Sequence, residues 1–384
     1  MGLILNDLKN VCELEHVCDY VNNRTTSSMN YISTENMLPN KGGISESTII
    51  PPGTTIEYKI GDILISNIRP YFQKIWCADR CGGCSADVLC IRAKENTDSK
   101  YLYYLLSQQA FFDYVMSGAK GCKMPRGDKK QIMQWPVNIP AIDVQKKVVA
   151  ILSSLDNKIR LNRRINDNLE EQTKALFKSW FVDNQDNDWK KIRLEEILEI
   201  GKTSIIPAQS PDTIFEHYSL PAFDNGTRPA YEKGSAIKSS KFYIQKNMFL
   251  FSKLNPRIKR IWFPNIQTEK AICSTEFIPY KPKDASLLGF CYSIVNSEAF
   301  YEYVLSLTNG STGSHQRFHP TATLDYSLKI PDKDIIKKFE SIVRPLYELI
   351  AKNRTENERL ASLRDTLLPK LMSGEIFVEE VSLD

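Results

Sequence analysis

An internal repeat constrains the fold of this chain more than any other feature of its sequence. The stretch 139–183 returns 191 positions later as 330–374. A single spacing relates all the matching residues, which are Ile139-Pro140 and Ile330-Pro331, Asp143 and Asp334, Asn162 and Asn353, Asn166 and Asn357, Leu169 and Leu360, and Leu176 and Leu367. Self-similarity at a fixed spacing indicates that one structural module occurs twice.

Each copy of the repeat has the pattern of a long helix with one narrow apolar face. Steps of mostly three and four residues separate the seam positions, as in a coiled coil. In the first copy these are Val144, Val148, Ile151, Leu155, Ile159, Asn162, Asn166, Leu169, Thr173, Leu176 and Trp180. In the second they are Ile335, Phe339, Ile342, Leu346, Ile350, Asn353, Asn357, Leu360, Arg364, Leu367 and Leu371. The apolar face of each helix is too narrow for a helix buried in a core, and each helix is too long to be stable alone. We therefore expect the two helices to pack on each other.

Four asparagines interrupt these apolar faces at matching positions, namely Asn162, Asn166, Asn353 and Asn357. An amide at a seam position lowers stability but fixes the register and orientation of the partner helix. The alternative is two unrelated amphipathic core helices, which does not explain why the polar interruptions repeat. Pro345 cannot lie inside an unbroken helix without a kink or a lost hydrogen bond, so we expect a short helix to about Val343 and a long one from Pro345.

The globular parts also repeat, though more loosely. Residues 1–140 combine β-rich runs at 55–60, 63–68 and 88–91 with a helical pattern at 101–116, which predicts an α/β domain. The second domain is predicted for 184–331 and begins with a polar linker at 184–188, after which its globular part starts at Trp189. Its matching segments are Leu14–Asp19 with Leu194–Glu199, Ser66–Pro70 with Ser252–Pro256, Trp76 with Trp262, and Ala110-Phe111 with Ala299-Phe300. The predicted order is domain 1–140, helix 141–183, domain 184–331, helix 332–376 and tail 377–384, with Asp143 and Asp332 as candidate helix caps.

Composition sets wide limits on location and partners. The 384 residues contain 42% hydrophobic and 25% charged residues, as in a folded protein of two or three domains. No apolar run reaches the eighteen or so residues of a membrane span, and residues 1–6 lack a signal-peptide pattern, so we expect a cytoplasmic protein without a membrane partner. Nine cysteines without a regular framework suit a reducing compartment. A net charge of +4 does not by itself indicate a polyanion partner.

These motifs together resemble the specificity subunit of type I restriction-modification enzymes. The resemblance covers nearly the whole chain and rests on the two Ile-Pro closures with their long helices and on the pattern Ile-x-x-Asn-x-x-x-Asn-x-x-Leu. That pattern occurs at Ile159–Leu169 and again at Ile350–Leu360. The segment Leu371-Met-Ser-Gly-Glu-Ile376 and, more weakly, Gly201-Lys202-Thr203 also fit the family.

The resemblance implies a fold and a set of partners. It implies two α/β target recognition domains joined by two long helices that form an antiparallel coiled coil, with pseudo-twofold internal duplication. Each domain would contact one half of a split double-stranded DNA target, and the helices would set the spacing. Two methyltransferase subunits would dock alongside, with a motor-nuclease subunit reached through them. S-adenosylmethionine, ATP and magnesium would belong to these partners, so the chain itself would be non-catalytic and hold no metal or cofactor.

The candidate DNA contacts are polar residues of two equivalent loops and two equivalent hairpins. Lys and Arg neutralise phosphates, whereas Arg, Gln and Ser also form hydrogen bonds with base edges, although a solvated surface loop would have the same composition. The first loop supplies Lys120, Lys123, Arg126, Lys129 and Lys130, and the second supplies Ser311, Ser314, His315, Gln316, Arg317 and His319. The hairpins supply Arg69 and the cluster Lys253, Asn255, Arg257, Lys259 and Arg260, and the family motif adds Lys202 and Thr203.

Several enzyme motifs are incomplete. Gly201-Lys202-Thr203 ends like a phosphate-binding loop, but Glu196 stands where that loop requires glycine. Asn255-Pro256-Arg257-Ile258 lacks the second proline and the aromatic residue of an amino-methyltransferase motif. Cys77, Cys81, Cys84 and Cys90 are closely spaced, and Cys81-x-x-Cys84 could begin a zinc site. The corresponding stretch of the second half keeps no such set, so we expect free thiols. Three other functions stay open, which are a self-contained methyltransferase or nuclease, a coiled-coil protein scaffold, and a specificity partner of another restriction class.

Overall fold

The computed structural model of the chain describes residues 11–26, 30–45, 53–121, 123–308, 318–376 and 378. The chain divides into two compact units, Met1–Asp156 with Ala361–Asp384, and Asn157–Leu360. Both boundaries lie inside a long helix, so each unit contains one globular domain and a part of both helices. The predicted domain limits stay predictions. No helix in the described ranges combines the length and the apolar character that crossing a membrane requires.

In its described residues, the first globular domain has three small sheets and three α-helices before the first long helix. Its elements are β1 (Val11–Glu13), β2 (Cys18–Tyr20), β3 (Arg24–Thr25), β4 (Thr55–Tyr58), β5 (Ile63–Ser66), β6 (Ile75–Cys77), β7 (Gly82–Cys84), β8 (Val88–Ala93), α1 (Ser99–Leu106), α2 (Gln109–Ser117), α3 (Lys129–Met133), β9 (Pro136–Asn138) and the long helix α4 (Ile142–Lys178), which continues as a π-helical turn, Ser179–Asp183. The sheet orders are β2-β8-β5-β6, β3-β4-β7 and β1-β9, and all pairs are antiparallel.

The second domain has a similar plan in its described residues, with additional elements between β12 and β15. Its elements are β10 (Lys190–Arg193), β11 (Leu198–Ile200), β12 (Ser204–Ile205), β13 (Ile214–Tyr218), α5 (Leu220–Asp224), β14 (Ala230–Lys233), β15 (Lys241–Tyr243), β16 (Phe249–Ser252), β17 (Ile261–Trp262), β18 (Ala271–Ser274), β19 (Phe277–Pro282), α6 (Leu288–Asn296), α7 (Glu298–Ser306), β20 (Ser327–Ile330) and the long helix α8 (Lys333–Ser373). The sheet orders are β11-β19-β16-β17, β12-β15-β18-β13-β14 and β10-β20.

The two domains share a common topology, which confirms the internal duplication. The order β2-β8-β5-β6 corresponds strand by strand to β11-β19-β16-β17, and β3-β4-β7 corresponds to β12-β15-β18. The register agrees as well, since Leu64 pairs with Trp76 in the first domain and Leu250 pairs with Trp262 in the second. The hairpin β13-β14, with α5 inside it, has no counterpart among the described residues of the first domain, and β13 joins its sheet by a parallel pairing with β18.

The long helices pack on each other in both units. In the unit Met1–Asp156 with Ala361–Asp384, Val148 and Leu152 of α4 share one apolar core with Leu368, Leu371 and Met372 of α8. Asp156 accepts a 2.8 Å hydrogen bond from Arg364. Residues later in α4 thus contact residues earlier in α8, so the two helices run in opposite directions. The helix pair is antiparallel, as predicted.

The unit Asn157–Leu360 continues this order of contacts. Asn162 donates to Asn357 (3.0 Å), and Asn353 donates to Asn166 (2.8 Å). Farther along, the aromatic rings of Phe177, Trp180 and Phe181 surround Phe339 of α8. Here the helices also close the core of the second domain, because Phe339, Val343 and Tyr347 belong to the cluster that contains Phe290 and Phe300.

The prediction of a helix break at Pro345 is wrong, because α8 runs unbroken from Lys333 to Ser373. Pro345 lies on the exposed side of the helix, and Ser341, whose carbonyl would bond to the missing N–H, is exposed too. Water can therefore replace the hydrogen bond that proline removes. The buried neighbours Val343 and Tyr347 hold the helix on its other side.

Other expectations about the helices need smaller corrections. Val144, Ile335 and Ile342 are exposed rather than seam residues, because near its ends each helix turns a different face, with Leu152 or Val343, towards a globular domain. Asp143 lies in the first turn of α4 instead of capping it, whereas Asp332 directly precedes α8. The helix predicted at 101–116 is two helices, separated at Ser107 and Gln108, where Gln108 is extended.

Candidate nucleic-acid interface

The β5-β6 hairpin ends in a tight turn, and this turn carries the predicted contact Arg69. Ser66 Oγ donates to the carbonyl of Ile68 (3.0 Å). Arg69 then adopts a left-handed conformation with φ of 51° directly before Pro70. The N–H groups of Phe72 and Gln73 close the turn on the carbonyls of Arg69 and Pro70. The segment Arg69–Gln73 forms the first tip.

The β16-β17 hairpin repeats this turn in detail. Ser252 Oγ donates to the carbonyl of Leu254 (3.1 Å), and Asn255 has φ of 51° directly before Pro256. The N–H of Ile258 closes the turn on the carbonyl of Asn255 (2.9 Å). The segment Asn255–Lys259 is the second tip. Arg69 and Asn255, which the sequence alignment paired, therefore hold equivalent positions in the two domains.

The loop before α3 lies beside the first tip. Lys120 and Arg126 form a two-residue antiparallel bridge, and Arg126 bridges Ile68 on its other side. The N–H of Arg69 donates to the carbonyl of Pro125 (2.8 Å). The backbone thus brings the predicted contacts Arg69, Lys120 and Arg126 together on one edge of the domain.

The cations of this loop have few acidic neighbours. Lys120 pairs with Asp128 (3.1 Å), and Arg126 pairs with Asp87 (3.2 Å). The hydrogen bond from Lys120, with those from the N–H groups at the start of α3, lowers the pKa of Asp128. Lys123, Lys129 and Lys130 are exposed, and no ion pair involves them among the residues described. The exposed charge around the first tip is therefore mainly positive.

The structure separates the second predicted cluster into anchored and free residues. Lys259 donates to the carbonyl of Asn296 (2.7 Å) and pairs with Glu298 (3.3 Å), and burial lowers the pKa of its ammonium group. Arg260 forms a two-point ion pair with Asp224 (2.7 and 2.9 Å). Both side chains therefore attach the hairpin to neighbouring helices of the same domain. Lys253 is partly exposed and Arg257 is exposed, so these two are the better DNA-contact candidates.

The other predicted contacts are scattered or undescribed. Lys202 and Thr203 are exposed, and the carbonyl of Thr203 accepts from the N–H of Tyr243 (2.8 Å). His319 is exposed before a short 3-10 turn, with its Nδ1 2.8 Å from Thr321 Oγ1. Five predicted contacts of the second loop, Ser311, Ser314, His315, Gln316 and Arg317, lie outside the described residues.

The four asparagines of the helix pair interact across it. Asn162 is buried and donates to Glu356 (2.7 Å) as well as to Asn357. Asn166 donates to the carbonyl of Ile350 (3.3 Å) while its oxygen accepts from Asn353. A one-turn shift of either helix would break these bonds and leave buried amides without partners. These hydrogen bonds are the contacts that a role in fixing the register requires, and the role itself stays a prediction.

Replacing Asn166 by alanine is expected to lower the free energy of unfolding by about 1–3 kcal/mol, because the buried amide of Asn353 loses its acceptor. Urea-induced unfolding of the full chain measures the change. Asn168→Ala, at an exposed position of the same helix, serves as the control and should change stability by less than about 0.5 kcal/mol. Equal losses in the two variants would contradict a role for the buried amide pair.

The close cysteines provide no described metal site. Cys84 and Cys90 are buried, and burial raises the pKa of the Cys84 thiol to about 12, so this thiol is protonated. Over the described part of the chain, no three His, Cys, Asp or Glu side chains converge as metal ligands would. These thiols fill the core of the first domain.

Comparisons with known proteins agree with this duplicated architecture. Residues 7–171 match the family model described as type I restriction modification DNA specificity domain. The MjaIX specificity subunit of Methanocaldococcus jannaschii is 26% identical over 75% of this chain and 71% of its own length. The HindI specificity subunit of Haemophilus influenzae is 24% identical over 90% and 94%. A solved type I S subunit from M. genitalium shares the fold, with a TM-score of 0.59 and 15% identity over 97% of this chain and 98% of that one. Most of the chain is therefore similar to type I restriction-modification specificity subunits, and residues 7–171 match the DNA specificity domain of these systems.

Proposed function

We propose that this chain gives a type I restriction-modification complex its DNA sequence specificity. Each globular domain contacts one half of a split double-stranded target, and the antiparallel helices set the distance between the halves. The observation that carries the proposal is the duplication of one basic hairpin tip, with Arg69 and Asn255 in the same left-handed turn. Two copies of one contact surface on stiff helices suit a target that has two halves.

The proposed partners follow from the family. Two methyltransferase subunits dock on the helices, and a motor-nuclease subunit joins through them. The chain contributes recognition without catalysis, so S-adenosylmethionine, ATP and magnesium bind to the partner subunits. The incomplete phosphate-loop and methyltransferase motifs at Gly201 and Asn255 support this division of labour. A self-contained methyltransferase would instead bind S-adenosylmethionine tightly in calorimetry of the isolated chain.

Binding of duplex DNA that weakens steeply with salt is the expected result for a recognition subunit, because phosphate contacts release counterions. Replacing Arg126 by alanine should weaken binding and reduce the slope of log K against log salt by about 1, because one phosphate contact is lost. Fluorescence anisotropy with a labelled duplex over a salt series measures both quantities.

The matched control is Arg193→Ala, since Arg193 is also an exposed arginine with acidic neighbours, Glu195 and Asp325, but lies on β10 outside the predicted contacts. This variant should bind as the unmodified chain does. A coiled-coil scaffold without a nucleic-acid role would show no salt-dependent binding at all, and equal slopes for the two variants would remove Arg126 from the interface.

A further inference from the structure

Both hairpin tips expose apolar side chains to solvent. In the first tip, Tyr71 is 49% and Phe72 38% exposed, and their ring centroids lie 4.7 Å apart. In the second, Ile258 is 48% exposed beside the exposed Arg257. Counted from the shared Ser and Pro of the turn, Tyr71 corresponds to Arg257 and Phe72 to Ile258. The same position of the duplicated turn is thus apolar and exposed in both domains.

The backbone of the first tip is fixed from behind. The N–H groups of Asn40 and Lys41 donate to the carbonyls of Phe72 (2.8 Å) and Gln73 (2.9 Å). The side chains of Gln73 and Gln109 are also hydrogen-bonded to each other. Because the main-chain acceptors point into the domain, the rings project outwards from a rigid support. A loose surface loop would not hold two aromatic rings in one orientation.

The second tip is also fixed to its domain, but by side-chain interactions that differ from those of the first tip. Tyr301 donates its hydroxyl to the carbonyl of Pro256 (2.7 Å). Lys259 and Glu298, which occupy the positions of Gln73 and Gln109, form an ion pair in place of the amide hydrogen bond. Both domains therefore keep the turn rigid although the bracing residues differ. Rigidity is common to the two tips, together with the exposed apolar side chain.

The charges around the tips favour a polyanion. Arg69, Lys120 and Arg126 are joined to the first tip through the backbone, and Lys253 and Arg257 belong to the second hairpin. Asp87 and Asp128 are acidic neighbours of the first tip, and each pairs with one of these cations. An apolar projection rimmed by cations matches a duplex, where phosphates surround stacked bases.

We propose that the two tips are wedges, and that Tyr71-Phe72 and Ile258 each insert at a base step within one half of the DNA target. Apolar side chains that enter a base step unstack it and bend the duplex, so sequences that deform easily are preferred. The inference rests on the proposed function and adds to it a source of specificity that needs no base-edge hydrogen bond at the wedged step.

The test uses the full chain and a duplex that carries its target, mapped from methylated positions in cells that contain the complete system. Fluorescent base analogues, 2-aminopurine for each adenine and pyrrolocytosine for each cytosine, are placed in turn along both halves, where a several-fold rise in fluorescence on binding reports unstacking. One such step is expected in each half. Tyr71→Ala with Phe72→Ala should abolish the rise in one half only, and Ile258→Ala should abolish it in the other half only. Either change should weaken binding by about tenfold.

Each variant contains an internal control, because the unmodified tip should still produce the fluorescence rise in the other half of the target. Ile60→Ala removes another exposed apolar side chain of the first domain, which is 69% exposed, and should leave both signals unchanged. Tight target binding without unstacking in either half overturns the wedge proposal and leaves the proposed function standing. The absence of target binding overturns both. Loss of methyltransferase-subunit assembly in the tip variants, with unstacking intact, assigns the tips to a protein partner and also overturns the proposal.

Discussion

Replacing Phe339 by alanine is expected to destabilise the unit Asn157–Leu360 by about 3–5 kcal/mol. Phe339 is 0% exposed, and the rings of Phe177, Trp180, Phe181 and Phe290 lie around it at centroid distances of 4.7 to 6.3 Å. Rigid aromatic neighbours from two helices and the domain core cannot all collapse into the space that the ring leaves. The loss of contacts and the cavity therefore add.

Hydrogen exchange on the full chain measures this change unit by unit, because each backbone amide reports its local free energy of opening. Ile342→Ala is the matched control, since Ile342 lies one turn away on the same helix but is 41% exposed, and its replacement should cost less than about 1 kcal/mol. Amides of the unit Met1–Asp156 with Ala361–Asp384 should keep their protection in both variants. Equal effects of the two replacements would show that the aromatic cluster is not what holds α8.

The helix pair was predictable because its signal is periodic and repeated. A fixed offset of 191 residues between two stripes implies two equal helices, and matched amides at Asn162 and Asn353 imply that they face each other. The equivalence of the hairpin turns was predictable as well, since Ser66–Pro70 and Ser252–Pro256 keep the serine and the proline that build the turn. The residues that build the turn are thus kept in both domains, although the rest of the domain sequences differ.

Pairings between distant residues were not predictable in this way. The cluster at 253–260 contains cations without a nearby acid in sequence, but Asp224 and Glu298 reach Arg260 and Lys259 through the fold. The exposed apolar tip was missed for a related reason. An apolar pair such as Tyr71-Phe72 beside a strand indicates a buried position as readily as an exposed one, and only the packing decides.

One departure from the repeat becomes clear only when the two units are compared. Arg364 stands where the first helix has Thr173, and it pairs with Asp156, which also accepts from the hydroxyl of Tyr104. In the other unit the equivalent positions are occupied by Thr173, Tyr347 and Ser293. The hydroxyl groups of Tyr347 and Ser293 are hydrogen-bonded (2.9 Å), and the Thr173 hydroxyl donates to the carbonyl of Glu170 (3.0 Å). A set of residues with an ion pair in one unit and a set of hydroxyl residues in the other thus occupy equivalent positions of the repeat. The two copies of the repeat therefore differ in chemistry at this position, since an ion pair in one unit is replaced by hydroxyl groups in the other.

Lengthening both helices equally is expected to change which DNA targets are methylated. Inserting residues between Asp156 and Asn157 and between Leu360 and Ala361, at the boundaries of the two units, leaves the contacts within each unit unchanged. Seven residues add about 10 Å and about two helical turns, which corresponds to about three base pairs. Three base pairs also rotate the second half of the target by about 100° around the duplex, so the original target should no longer be methylated.

An insertion of 25 residues, built from two heptads and one eleven-residue repeat, adds about 37 Å and about seven helical turns. This length matches about 11 base pairs, close to one turn of the duplex, so the two halves of a target lengthened by that amount keep their relative orientation around the duplex. Methylation should return on targets whose spacer is longer by about 11 base pairs, with both half sequences unchanged. Mapping of methylated positions in cells that contain each variant and the partner subunits measures this. Methylation of the original spacing by the 25-residue variant would show that helix length does not set the distance between the halves. If both insertions preserved the original target, the helices would serve only to dock other subunits.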